Sequence, residues 1–137
     1  MIDRSTWSER YKKGLAAIRA LEPDNGDLVL NKLREVSPGY HDINVEMYGD
    51  FFGDDRLSIK TRTLITLTTL AAINAYPGLI EFHAKAALEV GWQPDEIFAA
   101  LEQNSLFAGF PYAISSIYTV RELFIKLGVI DARPRSE

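Results

Sequence analysis

Two histidines and no cysteine are the whole stock of side chains in this 137-residue chain that ordinarily titrate near neutral pH. His83 is the more informative of the two. It stands at helical spacing with Leu79, Ala86 and Val90, on what reads as the apolar seam of a helix. Two readings of it are open. A lone imidazole on such a seam is commonly a core group bonded to a backbone carbonyl. Placed in a pocket, its unperturbed pKa of about 6.5 would instead let it pass a proton at neutral pH. Arg62 has the same duality: a structural salt bridge, for example with Asp50, or a bidentate anchor for a substrate carboxylate. Around them, Tyr48, Phe52, Tyr76 and Tyr112 are the candidate substrate-binding aromatics, with Tyr118 a weaker one. Glu81, two residues from His83, leaves the helix in another direction and reads as an i,i+4 partner of Lys85.

Other chemistries find no support. His41 follows Ser37-Pro-Gly-Tyr with no evident partner, and two distant histidines without a carboxylate at ligand spacing do not make a metal site. With no cysteine there is no thiol nucleophile and no disulfide. Neither a Gly-rich phosphate loop nor a nucleophile elbow is visible.

The elements that must position these residues read as helices throughout. Trp7, Tyr11, Leu15 and Ile18 mark a first helix, capped by Ser5 or Thr6 and ended at Pro23-Asp-Asn-Gly26. Residues 27–36 read as a short second helix. Ser37-Pro38 opens a third, which continues to Tyr48 and meets Gly49. Residues 49–56 form a loop with two glycines and two phenylalanines. The stretch 58–75 is rich in Thr and Ile, which favours strand. Its length and the spacing of Leu64, Leu67, Leu70 and Ile73 decide for a buried helix. A helix over 79–90 stops at Gly91, in the position of a left-handed cap. Pro94 starts another, with Asp95 and Glu96 in its first turn, and Gly109 stops it. The last helix runs from Pro111 to about Leu127-Gly128. The expected fold is all-α, a bundle of six to seven helices in a single domain over 1–137. Its core spans about 5–128, and 129–137 form a polar tail.

Composition agrees. Hydrophobic residues are 47% and charged residues 25% of the chain, an ordinary globular balance large enough for one core. The formal net charge of −4 argues against nucleic acid as a partner. No apolar run approaches the roughly 20 residues of a membrane span, and the charged N-terminal stretch carries no signal segment. A cytoplasmic protein is the expectation. Phe51, Phe52, Phe98, Phe107, Phe110 and Phe124 are a heavy apolar load for a lone small bundle, which predicts a homo-oligomer.

In order along the chain stand Gly49-Asp50, Phe52, Leu57, Lys60-Thr61-Arg62-Thr63-Leu64, His83-Ala84-Lys85-Ala86-Ala87, Gly91, Glu96-Ile97 and Gly109-Phe110-Pro111. With the opening Thr6-Trp-Ser-Glu-Arg-Tyr-Lys-Lys-Gly-Leu15, this pattern resembles the carboxymuconolactone decarboxylase family of the alkylhydroperoxidase D-like superfamily, over most of the chain. The resemblance implies an all-helical fold assembled as a trimer or hexamer, with a pocket near the histidine helix. It implies decarboxylation of a small lactone acid in aromatic-compound breakdown, with no metal and no organic cofactor. It also implies His83 as acid/base and Arg62 as its charge partner. Related members carry a Cys-x-x-Cys pair ahead of the histidine. Tyr76 and Leu79 occupy those positions here, so thiol peroxidase chemistry is excluded by residue identity.

Three departures bear on the reaction. Asp54-Asp55-Arg56 stands where decarboxylases often have Arg-Pro-Gly, Gly78-Leu79 where acidic residues are common, and Ile114 where an Asn is common. Adjacent aspartates would repel an anionic lactone acid. An oligomeric binding or assembly protein on the same scaffold, without catalysis, is therefore the second reading.

Overall fold

The computed structural model describes residues 8–26 and 30–132. Among these there is no strand. In chain order the helices are α1 (Glu9–Leu21), α2 (Asn31–Val36), α3 (Pro38–Phe52), α4 (Ile59–Ala72), α5 (Pro77–Glu89), α6 (Pro94–Gln103) and α7 (Phe110–Lys126). A short 3-10 turn, Asn104–Leu106, follows α6. The chain divides into two compact units, one ending at Arg62 and the next beginning at Thr63, inside α4.

In the first unit α1 packs along α3. Ser8 caps α1, its hydroxyl accepting from the Tyr11 N–H at 3.0 Å. Ser5, Thr6 and Trp7 lie outside the described residues. The core of this unit is Tyr11, Leu15 and Ile18 of α1 against Val45 of α3. The expected stop at Gly49 is corrected: α3 runs through it to Phe52. Gly49 is there for contact. A Cβ on it would lie 2.6 Å from the Gly14 nitrogen, and one on Gly14 would collide with the Val45 carbonyl. Two glycines thus let the backbones of α1 and α3 touch. The edge of this packing is tied by Arg10, which pairs with Asp50 and, at 2.9 Å, with Glu46. The second helix begins at Asn31 after Leu30 as its N-cap, and residues 27–29 of the expected helix lie outside the described residues.

In the second unit one core joins Leu67 and Ala71 of α4, Ile80, Ala84 and Ala87 of α5, Ile97 and Leu101 of α6, and Val120 and Phe124 of α7. The Thr-rich α4 is helical as expected. Thr68 and Thr69 return their hydroxyls to the carbonyls of Leu64 and Ile65, at 3.0 and 2.8 Å, so their polar groups are satisfied inside the helix. Gly91, at φ 98°, ends α5 in the left-handed region. The Gln93 N–H donates to the Glu96 carboxylate at 2.8 Å at the start of α6. Gly109, at φ 100°, precedes α7, which starts at Phe110, one residue ahead of the expected proline. Of the six phenylalanines expected to overload the bundle, Phe124 is buried, while Phe51, Phe107 and Phe110 are exposed.

Candidate active site

His83 sits in the second turn of α5, a helix whose Pro77 pre-sets the first turn. The side chain is 2% exposed, on a face shared with Ile80, Ala84, Ala86 and Ala87. The seam expected from Leu79 to Val90 is therefore displaced by one residue at its start. Ile80 is buried, whereas Leu79 and Val90 are only partly so. Alanines leave room for the imidazole, and Phe82 meets its ring edge-on, with centroids 4.9 Å apart at 87°. Nδ1 is a buried atom that makes no hydrogen bond, while the residue keeps other contacts. Burial removes the water that would stabilise the imidazolium, and the pKa falls from 6.5 to about 4. At neutral pH the group is an uncharged imidazole.

Tyr76 and Tyr112, also in this unit, are largely exposed. The Tyr76 ring folds over the first turn of α5, where a Cβ on Gly78 would come within 2.8 Å of its hydroxyl. A side chain at position 78 would require the exposed Tyr76 ring to swing aside. Glu81 is exposed, as expected of a residue off the seam.

Arg62, Tyr48 and Phe52 belong to the other unit. Arg62 donates from Nε and one terminal nitrogen to the Asp54 carbonyl, at 3.2 and 3.0 Å, and from Nε to the Leu57 carbonyl at 3.3 Å. Its guanidinium also lies 3.6 Å from the Asp54 carboxylate. The ion partner is thus Asp54, and Asp50 is paired with Arg10 instead. Arg56 donates to both oxygens of Asp54, and its backbone N–H to one of them. These bonds hold the Asp54 carboxyl far below the usual carboxylate range, with Arg56 the main cause and Arg62 a lesser one. The negative charge of Asp54 is matched by two guanidinium groups, that of Arg56 in the same loop and that of Arg62 in the first turn of α4. Tyr48 and Phe52 stack on α3, with ring centroids 5.4 Å apart. Burial raises the Tyr48 pKa, which keeps its hydroxyl protonated and able to donate.

Sequence reasoning missed the Asp54–Arg56 pair, although aspartate two residues before arginine in a Gly-rich loop is the signal for it. It also left His41 without a partner. The ring is buried, its Nδ1 lies 2.9 Å from the Asp42 carboxylate, and it packs near Tyr11 with centroids 6.3 Å apart. Among the described residues no group of three His, Asp or Glu side chains is placed to hold a metal ion. No helix among them is long and apolar enough to cross a membrane.

A curated relative, a 4-carboxymuconolactone decarboxylase from Acinetobacter baylyi, is 26% identical over 123 residues, covering 88% of this chain and 91% of that protein. The family model of the carboxymuconolactone decarboxylases matches residues 38–118, which include α3, α4, His83 and the start of α7. That stretch is more than half of the chain, and the helical order around it is the one the motifs imply: this chain belongs to the carboxymuconolactone decarboxylase family.

Proposed function

We propose that this protein is a carboxy-lyase that removes carbon dioxide from a small lactone acid, with His83 as the acid that delivers a proton to carbon. The observation that carries the reading is a neutral imidazole, 2% exposed, on an alanine-rich helix face inside the stretch matched by the family. The named activity of the Acinetobacter relative supports the substrate class.

The chemistry follows from the charge balance. The bond between the carboxylate carbon and the ring breaks, and its electron pair moves toward the lactone carbonyl as an enolate. The carbon then takes a proton, so each turnover consumes one. An anionic substrate beside His83 offsets the desolvation that keeps the free imidazole neutral. The proton is taken up with the substrate, passes to carbon after carbon dioxide leaves, and the imidazole returns to its neutral form. Tyr76 and Tyr112, in the same unit as His83, supply hydroxyls that can donate to the substrate. The bonds Arg62 already makes to the 53–58 loop support a role in setting that loop.

The test is turnover of carboxymuconolactone, followed by loss of substrate absorbance, in the wild type and in His83→Gln. The expected result is activity reduced at least about a hundredfold in the variant, the scale of general acid–base catalysis. Wild-type activity in a folded His83→Gln protein would refute the role of His83. No turnover in either protein would refute the substrate.

A further inference from the structure

One turn of the first unit carries a chemistry of its own. Pro23-Asp24-Asn25-Gly26 forms a turn just past the end of α1, in which Asn25 is exposed and Gly26 is buried. Gly26 packs against the end of the helix. A Cβ on it would lie 2.7 Å from the Glu22 carbonyl oxygen and 2.8 Å from the Arg19 Cα. Both contacts are with backbone, so a side chain can replace the glycine only if the turn moves. Asparagine before it suits the turn. The packing therefore keeps an Asn-Gly bond at an exposed position.

Such a bond is open to attack by its own main chain. The nitrogen after Asn25 belongs to a residue with no Cβ, so its approach to the Asn25 Cγ is unobstructed. The other four asparagines differ. Each is followed by a residue with a side chain: Lys32, Val45, Ala75 and Ser105. The side-chain amides of Asn44 and Asn104 donate to the Tyr40 and Thr68 carbonyls at 2.7 and 3.0 Å, which holds them in place. The nitrogen that would attack Asn74 is that of Ala75, whose N–H already donates to the Leu70 carbonyl at 2.9 Å.

We infer that Asn25 is a self-modification site, converted without an enzyme to a mixture of aspartate and isoaspartate. The Gly26 nitrogen gives its proton to solvent and bonds to the Asn25 Cγ. The bond from Cγ to the side-chain nitrogen breaks, and that nitrogen leaves as ammonia. Water opens the resulting cyclic imide at either of its carbonyls. One amide and one water become one carboxylic acid and one ammonia, and nothing is oxidised or reduced. Opening at the main-chain carbonyl leaves the chain one carbon longer at a glycine with no spare room against Arg19 and Glu22. The new charge also falls between Asp24 and Asp27, beyond the C-terminal end of α1, where the helix dipole disfavours an anion. Both effects weaken the hold of this turn on α1.

The test incubates the purified full chain in warm, mildly alkaline buffer for as long as the isolated Ala20–Lys32 peptide needs to convert. Tryptic digestion and tandem mass spectrometry then read each asparagine. The Ala20–Lys32 fragment of the folded chain should gain the mass difference between an amide and an acid, located at Asn25 and not at Asn31. Fragments carrying Asn44, Asn74 and Asn104 should be unchanged. Ion exchange of the intact chain should show a growing species one charge more negative than the parent's −4, absent from Asn25→Ser. That species, once separated, should unfold at a lower urea midpoint than the parent. An unchanged Asn25 in the folded chain, or equal conversion at several asparagines, would overturn the site. An equal urea midpoint would overturn the weakened turn.

Discussion

Acid should destabilise this protein through His83 by an amount that can be worked out from its burial. The unfolded chain holds the imidazole at its ordinary 6.5, and the fold lowers it to about 4. Between those values the unfolded state binds a proton that the native state excludes, so stability rises with pH across this window. The contribution is whole above about pH 6.5 and is lost progressively as pH falls toward 4. At about 1.4 kcal/mol per pKa unit, the loss is about 3 kcal/mol at pH 4, of which about 2 kcal/mol has gone by pH 5. Relative to a typical unfolding free energy of roughly 5–15 kcal/mol this is large. The assay is urea unfolding at pH 7, 6, 5 and 4.5 for the wild type and His83→Gln, because a glutamine cannot take the proton. Every other ionisable group is common to both proteins, so its effect cancels in the difference. The stability of the wild type relative to the variant should fall by about 2 kcal/mol from pH 7 to pH 5. A difference that stays constant across this range would mean that the buried imidazole is not held neutral.

Two substitutions address what positions the site. Gly49→Ala pushes a methyl group into the Gly14 backbone, 2.6 Å from its nitrogen. Separating α1 from α3 should cost about 1–3 kcal/mol, read as a lower urea midpoint at unchanged slope. Arg62→Lys keeps the charge but loses the planar fork that reaches the Asp54 and Leu57 carbonyls. It should lower stability by about 2 kcal/mol and speed amide exchange over residues 53–58, and unchanged exchange there would show that the loop does not depend on Arg62.

Much of this was legible because it is local. Gly91 as a stop, Pro94 as a start and the acidic first turn of α6 are decided within a few residues, and all stand as read. The order of motifs around His83 carried the family. The failures have a common cause in contacts between distant segments. Gly49 looks like a helix stop because its packing partner, Gly14, lies 35 positions earlier in the sequence. The seam through His83 can begin at Leu79 or at Ile80 with equal local logic, and only the alanine-lined packing of α5 against its neighbours selects Ile80. Arg62 has a carboxylate partner, Asp54 in place of Asp50, but the Asp54 and Leu57 carbonyls that it also bonds leave no mark in a sequence. The Asp54-Asp55 departure looked hostile to an anionic substrate for the same reason: the residue types show the charge but not the two arginines that match it.

The lowered pKa also constrains how His83 works as an acid. With a free-enzyme value of about 4, about one molecule in a thousand carries the imidazolium at pH 7. The ratio kcat/KM compares the transition state with free enzyme and free substrate, so it follows that small protonated fraction whatever the order of binding and protonation. The lactone acid is already ionised above pH 5 and adds no dependence of its own. Hence kcat/KM should fall about tenfold for each pH unit from 5 to 8. The value of kcat reports the substrate complex, where the bound anion raises the imidazole's proton affinity, and it should stay level to a higher pH before it declines. A neutral imidazole acting only as a hydrogen-bond donor would give the reverse profile: kcat/KM flat from pH 5 to 8, lost only as pH drops through about 4. Stopped-flow progress curves across this range separate the two. A flat kcat/KM would remove proton delivery from His83 while leaving the family and the burial of the ring untouched.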